Sequence, residues 1–434
     1  MSNLKTMSSR KQKEFTGSIS SVTKLRAADL NALKLFIKEK GKTCLHEASG
    51  ILKYRFVIPS FGKVAGGDED AEASERSTVG YYLQMYDWDS CFFSQAQHFF
   101  GVTGLARDVV SNFLTLKRSD GFIPRTVSPR RTWDSNDLCK PFLCQALLAE
   151  LKREAFKRPL PAPFLLDLDC WLEYFRRTRM HEDGLFHWRN MLESGVDDNL
   201  GLIAPLVAAR DENESARYPE DRILAADLSS YLVAEYEAIQ EMAGHSGEET
   251  LAAKYVGYAK KLKQDIDEQL WNEELAMHCN LDPATGKHIM VRTWTNLTPV
   301  LFGIAKLDRI KNCIEQNLLA VKHFLRPAGL ATVAASEPLY NQSRRGLYFR
   351  ATVSNWQGPV WVLPNVLAVR CLVKQGYSRE AKDLALRVLT VMHKGLQTYG
   401  TLYENYHAET GEPLWAPDFM SWNSLALELI QLVE

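Results

Sequence analysis

The chain has 434 residues, 46% of them apolar and 24% charged, with 52 Lys and Arg set against 53 Asp and Glu. A near-neutral chain of this composition can bury a large core, and it lacks the basic excess that a nucleic acid or an acidic membrane would call for. Its eight scattered cysteines form no CxxC pair, give no zinc or thiol-redox signature and fit a reducing compartment.

Residues 1–25, opening MSNLKTMSSRKQKEF, are polar and basic with no apolar segment behind them, and read as a flexible leader. No later run is apolar enough to span a membrane, so a cytoplasmic protein is expected; the acid-free first thirteen residues also fit a transit peptide. Residues 26–434 show no linker or low-complexity break and are expected to form one domain. Within 26–40, Leu30, Leu33, Phe36 and Ile37 fall at helical spacing, and Gly41 supplies a stop. The run 53–59 (KYRFVIP) looks like a strand, and the acidic, small-residue stretch 64–78 reads as a loop and a candidate flap.

Helical patterns then recur over 88–101, 104–117, 140–154, 164–178, 198–208, 221–243, 248–272, 297–306, 308–319, 359–374, 378–395 and 418–433. About twelve helices in consecutive hairpins, with few strand signals, predict an all-α toroid of six helical hairpins rather than a parallel α/β fold. The longest connections, 118–139, 179–197, 320–358 and 396–417, are rich in Trp, Arg, Asp, Gly and Pro. Long loops in a compact domain are where function concentrates.

Two of these loops stand out. The stretch HWRNMLESGVDDN at 187–199 sets Trp188 beside several acids, and YGTLYENYHAETGEP at 399–413 sets an acid between aromatics. Glycosidic cleavage needs two carboxyl groups, one protonated to release the leaving group and one ionised to activate water. Aromatic faces pack on sugar rings, and their bulk desolvates a neighbouring carboxyl group so that it keeps its proton. Taken singly, either acid reads first as a loop carboxylate that caps a helix or pairs with an arginine.

The run ESGVD at 193–197 resembles the catalytic-acid motif of glycoside hydrolase family 63 and its trehalase relatives, which implies that Asp197 is the general acid. ENYHAETGEP at 404–413 resembles the base motif and implies Glu404 as general base. NWQGPVW at 355–361 resembles the W-x-G-P-V-W signature, with Gln357 where Arg is common. With GFIPR at 121–125, KPFLCQAL at 140–147 and FMSW at 419–422, the resemblance covers about residues 80–433. YYLQMYDWDSCFF at 81–93 and the short length are similar to the mannosylglycerate and glucosylglycerate hydrolase branch.

That branch implies an all-α (α/α)6 barrel with long loops on one rim, inverting hydrolysis of a small α-glycoside of glycerate, and no cofactor or metal. The substrate contacts it implies are Tyr82, Tyr86, Asp87, Trp88, Asp89, Lys140, Trp188, Gly195, Asn355, Trp356 and Gln357. Asp87 and Asp89 are also placed to cap a helix, and Lys140 stands where relatives resemble Gln before Pro. A glycerate carboxylate calls for a guanidinium. Arg217 is the first choice, with Arg222, Arg125 and Arg189 as alternatives. The expected partner is a small glycoside, with no nucleic acid or membrane and with homo-oligomerisation open. Three other readings remain: a metal enzyme, although His181 and His187 match no HExxH spacing; a non-enzymatic helical scaffold, which gives no reason for acids among aromatics; and a glucosidase for a neutral disaccharide or oligosaccharide.

Overall fold

The computed structural model describes residues 25–61, 84–132, 137–204, 223–347 and 353–434. The 64–78 loop, Tyr82, Arg217 and Arg222 lie outside them. The helices are α1 (Ala27–Thr43), α2 (Asp87–Gln95), α3 (Leu105–Thr115), α4 (Leu143–Arg153), α5 (Ala162–Arg179), α6 (Met191–Ser194), α7 (Ala226–His245), α8 (Glu249–Leu270), α9 (Thr298–Leu301), α10 (Leu307–Cys313), α11 (Val362–Lys374), α12 (Ser378–Tyr399) and α13 (Ala426–Val433). Residues 200–204 are also helical.

Two kinds of helix alternate along the chain. In α7 almost every residue from Ala226 to Val233 is buried, whereas α8 buries the spaced set Ala252, Tyr255, Ala259, Leu262 and Ile266. Burial on every side puts a helix inside, and a single apolar stripe puts it outside. The inner helices form a closed cycle of neighbours: α2 packs on α4, α4 on α7, α7 on α9, α9 on α11 and α11 on α13, and the Trp422–Leu425 turn that leads into α13 packs back on α2. Around it, α3 covers α2 and α4, α5 and α8 cover α7, α10 covers α9, α12 covers α11 and α13, and α1 lies on α12 and α13.

Several expected helices are shorter than their patterns. The 88–101 pattern breaks at Ala96 into α2 and a 3-10 turn, Gln97–Phe100. The 297–306 pattern is a 3-10 turn, Trp294–Leu297, followed by the single turn α9, which gives way before Gly303 at φ 70°. Helix α10 runs on into a π turn, Ile314–Leu318. The expected strand at 53–59 is reduced to Phe56–Val57, paired with Leu45–His46. The strands that matter for the site are β1 (Met85–Tyr86) with β2 (Thr126–Val127), and the antiparallel sheet of β3 (Val360–Trp361), β4 (Tyr403–Tyr406) and β5 (Pro413–Pro417). No helix among the described residues is long and apolar enough to cross a membrane.

Candidate active site

Trp88 (first turn of α2), Trp294 (before α9), Trp361 (before α11) and Trp422 (before α13) stand at the N-terminal ends of four ring elements, and their rings gather around Trp356 and one another. Helix N-termini favour negative charge. At the start of α2, Asp87 is fully buried and its carboxylate is filled by the protein: Oδ1 accepts from Trp88 N (2.7 Å) and Lys140 Nζ (2.9 Å), and Oδ2 from Lys140 N (2.7 Å) and Nζ (3.0 Å). Lys140 is buried too, with its ammonium 4.9 Å from the Trp88 ring centroid; burial lowers its pKa and the Asp87 carboxylate opposes that. Asp89, one position beyond Trp88, accepts from Ser421 Oγ at 2.7 Å, and burial pushes its carboxyl group up to about 7.

The loop expected to carry the acid is held by its own first residue. Glu193, with no exposed surface, takes Arg179 Nη2 at 2.7 Å and Nε at 3.0 Å, Leu138 N at 3.0 Å and Arg189 N at 2.7 Å. Gly195 follows at φ 75°; a Cβ there would stand 2.6 Å from Lys140 Cε and 2.9 Å from Trp88 Cζ2, so only glycine lets the loop lie on those side chains. Asp197 is half-buried. Burial works against the charge of the neighbouring Arg125, but Asp87 and Asp197 keep its pKa above the ordinary value. Trp188, expected beside the acids as a sugar contact, is fully buried, and its indole donates to Asp227 Oδ1 at 3.0 Å. Burial pushes Asp227 up to about 6.

Glu404 is 3% exposed on β4, between Tyr403, whose carbonyl accepts from Asn423 Nδ2 at 2.8 Å, and Asn405, which pairs with Trp361 and Trp415 across the sheet. The β4–β5 hairpin is anchored at Glu409, which accepts from Arg326 (2.7 and 2.8 Å) and Tyr340 (2.8 Å). A cluster of tryptophans joins the two motifs. Trp88 meets Trp356 at 5.9 Å and Trp422 at 5.3 Å, Trp356 meets Trp294 at 5.7 Å, and Trp356 stacks on Trp361 at 3.6 Å. Thus Gly195 of the acid loop rests on one member, Trp88, and the strand carrying Glu404 pairs with another, Trp361.

Gln357 is fully buried with its amide engaged: Oε1 accepts from Asn341 Nδ2 (2.9 Å) and Leu347 N (3.0 Å), and Nε2 donates to the Asp198 carbonyl (3.2 Å). Asn355 donates to Asn341 Oδ1 (2.9 Å) and the Ser343 carbonyl (2.7 Å) and accepts from Gln357 N (2.7 Å). Asp87, Asn355 and Gln357 therefore direct their polar atoms to the protein frame. Trp88 and Trp356 are 4% and 2% exposed. Tyr86 is half-buried and donates to Gln84 Oε1 at 3.0 Å. Arg189 is exposed, and Arg125 donates to the Leu192 carbonyl. His187 lies 3.3 Å from the Trp188 carbonyl and His181 pairs with Asp183. Sequence reasoning did not single out Ser421, Asp227 or the Glu193–Arg179 pair. Of these, Glu193 lay within ESGVD and Ser421 within FMSW; Asp227 and Arg179 carried no signal.

Residues 82–422 match the family described as mannosylglycerate hydrolase MGH1-like glycoside hydrolase domain. A mannosylglycerate hydrolase from Rubrobacter radiotolerans is 26% identical over 238 residues, 54% of this chain and 50% of that protein. A probable mannosyl-oligosaccharide glucosidase from Schizosaccharomyces pombe is 22% identical over 52% of this chain and 28% of that protein. The chain thus spans half or less of the length of these two relatives. A family 63 mannosylglycerate hydrolase from Thermus thermophilus shares the fold, with a TM-score of 0.66 at 16% identity over 92% of this chain and 99% of that one. Since the family match runs from the strand before α2 to the turn before α13 and takes in both acid motifs and the tryptophan cluster, the chain belongs to the mannosylglycerate hydrolase MGH1-like glycoside hydrolases of family 63.

Proposed function

We propose that residues 26–434 form a single catalytic domain, an (α/α)6 barrel with its closed cycle of helices as inner ring, that hydrolyses a small α-glycoside of glycerate with inversion. The observation that carries this reading is that the ESGVD loop and the strand of Glu404, far apart in sequence, both rest on one buried tryptophan cluster at the N-terminal ends of the ring helices. In this mechanism Asp197 gives its proton to the glycosidic oxygen as the bond to the anomeric carbon breaks. Glu404 takes a proton from the water that attacks the opposite face. The Gly195 turn keeps the acid loop against Trp88, and the sheet fixes Glu404, so both groups are held before substrate arrives.

Replacing Asp197 or Glu404 with Ala is expected to lower kcat by several orders of magnitude while the circular dichroism and melting curve stay near wild type. Near-normal turnover of Asp197→Ala would move the acid role elsewhere. Inversion requires the carboxyl groups to stand about 6.5–9.5 Å apart around a water. An NMR time course should therefore show the inverted anomer first, and the retained anomer appearing first would rule the mechanism out. Trehalases are also among the relatives: one from Pseudomonas aeruginosa is 23% identical over 81% of this chain and 70% of that protein. Hydrolysis of mannosylglycerate, glucosylglycerate, trehalose and kojibiose, assayed side by side, decides between a carboxylated and a neutral substrate.

A further inference from the structure

Away from both acid motifs, a cavity of about 450 Å³ opens where α2, α4, α11 and α13 meet. Gln95 and Arg370, which line it, stand about two turns or more beyond Trp88 and Trp361 along α2 and α11, roughly 10–14 Å at 1.5 Å per residue. Arg370 links three of these helices. Its Nε and Nη2 donate to Glu428 of α13 at 2.9 and 2.8 Å, and its Nη1 donates to Gln95 Oε1 at 3.0 Å. Of the five N–H groups of a guanidinium, two are then left over, and so is the amide NH2 of Gln95.

The wall carries more positive charge than negative. Against Arg370, Arg153 and His98 stands one carboxylate, Glu428, and Arg370 already grips it at two points. Lys152 and Arg153 both lie in the last turn of α4, where a cation complements the helix end. Lys152 turns away to Glu241 at 2.7 Å, whereas Arg153 lines the cavity and has no ion pair among the described residues. Glu150, the other acid whose charge reaches Arg153, is buried behind the wall and accepts from Gln97 Nε2 at 2.7 Å and Ala106 N at 2.9 Å. Partial burial, with Arg370 adding to it, holds the Arg153 pKa below its ordinary value despite Glu428 and Glu150, which marks a cation short of negative charge. The volume is that of a small-molecule site rather than of a bare oxyanion, and Phe99 and Gln431 complete the lining with an apolar ring and a second amide.

We propose that this cavity is a second ligand site, separate from the catalytic carboxyl groups, and that it takes a small polyhydroxy compound bearing a phosphate. Arg153 and the two unused N–H groups of Arg370 receive the phosphate, the amides of Gln95 and Gln431 meet hydroxyl groups, and Phe99 covers the apolar face of the body. A phosphate ester brings nearly two negative charges and three acceptor oxygens, which two guanidinium groups match and a single carboxylate does not. The ligand bridges α4 to the Arg370 contacts between α2, α11 and α13, so its binding stabilises the closed ring. The inference depends on neither acid motif.

The test titrates the full chain with glucose 6-phosphate and with inorganic phosphate, by calorimetry and by thermal melting, in wild type, R153A and R153E. Arg153 is exposed and removing it breaks no ion pair among the described residues, so the variants should keep the wild-type Tm and hydrolytic activity when no ligand is added. Glucose 6-phosphate is expected to bind wild type at a single site with a Kd below about 1 mM and to raise Tm saturably, with inorganic phosphate weaker. R153A should weaken the ester about tenfold to a hundredfold, and R153E should abolish its binding. No saturable binding in wild type would overturn the proposal. An affinity for the ester that is unchanged in R153A and R153E would also overturn it, since the ligand would then sit elsewhere, the catalytic pocket included. Inorganic phosphate binding as tightly as the ester would overturn the assignment of a polyhydroxy ligand.

Discussion

At Lys140 the chain buries an ammonium group against Asp87, the face of Trp88 and the Gly195 turn, directly beneath the acid loop. Removing one partner of such a pair leaves a buried charge without compensation, which typically costs about 3–5 kcal/mol. Lys140→Met should show a loss of that order in denaturant unfolding, and adding Asp87→Asn should recover part of it, because no charge then stays buried. If the double variant is no more stable than the single one, the pair is not the source of the loss. At this scale the sequence marked Asp197 and Glu404 through their motifs. It did not reveal that Asp87, Asn355 and Gln357 face the frame, because a side chain's hydrogen-bond partners come from segments tens to hundreds of residues away. Trp188 is another such case: its neighbours in sequence are acids, but the group that receives its indole proton is Asp227 of another helix.

At the scale of elements, the helix starts depend on distant carboxylates. Glu235 of α7 accepts from Cys144 N (2.8 Å) and Gln145 N (2.9 Å) at the first turn of α4, and Glu150 of α4 accepts from Ala106 N (2.9 Å) at the first turn of α3. These caps replace local Ser, Thr or Asp caps: the residues that precede the two helices, Phe142 and Gly104, supply no side-chain cap of their own. Burial pushes Glu235 up to about 7, above its ordinary 4.5. The folded protein therefore binds this proton more tightly than the unfolded chain, so the group's contribution to stability is full below the unfolded pKa. It is lost as pH rises towards 7. Asp89 and Asp227, also raised by burial, act in the same direction. Glu235→Gln should show a smaller fall in unfolding free energy between about pH 5 and about pH 8 than wild type, because its fixed cost cancels in the difference. An unchanged slope would show that Glu235 does not titrate in this range.

At the scale of the whole molecule, recurring helical periodicity and sparse strand signals made the helical class legible, and counting hairpins led to the expectation of a toroid. The ring members themselves were less legible. One of them, α9, is a single turn framed by a 3-10 turn and a glycine, much shorter than the 297–306 pattern that covers it. Its place in the cycle comes from packing on α7 and α11 rather than from propensity.

The seam of that cycle joins sequence-distant parts: Ser421 reaches Asp89, Arg370 reaches Gln95 at 3.0 Å, and Glu434 meets Lys34 at 2.8 Å. In a folding chain, α7 and α8 are sequence neighbours and can pair early, but the seam must wait for most of the chain to be arranged, since closing so large a loop carries an entropic cost before any contact rewards it. On a ribosome, the segment that closes this seam is among the last of these residues to emerge. Refolding should therefore show helix signal returning ahead of the near-ultraviolet tryptophan signal, with activity following the latter. If all three recover together, the closure is not a separate step. A half-made chain would be rich in helix yet catalytically silent.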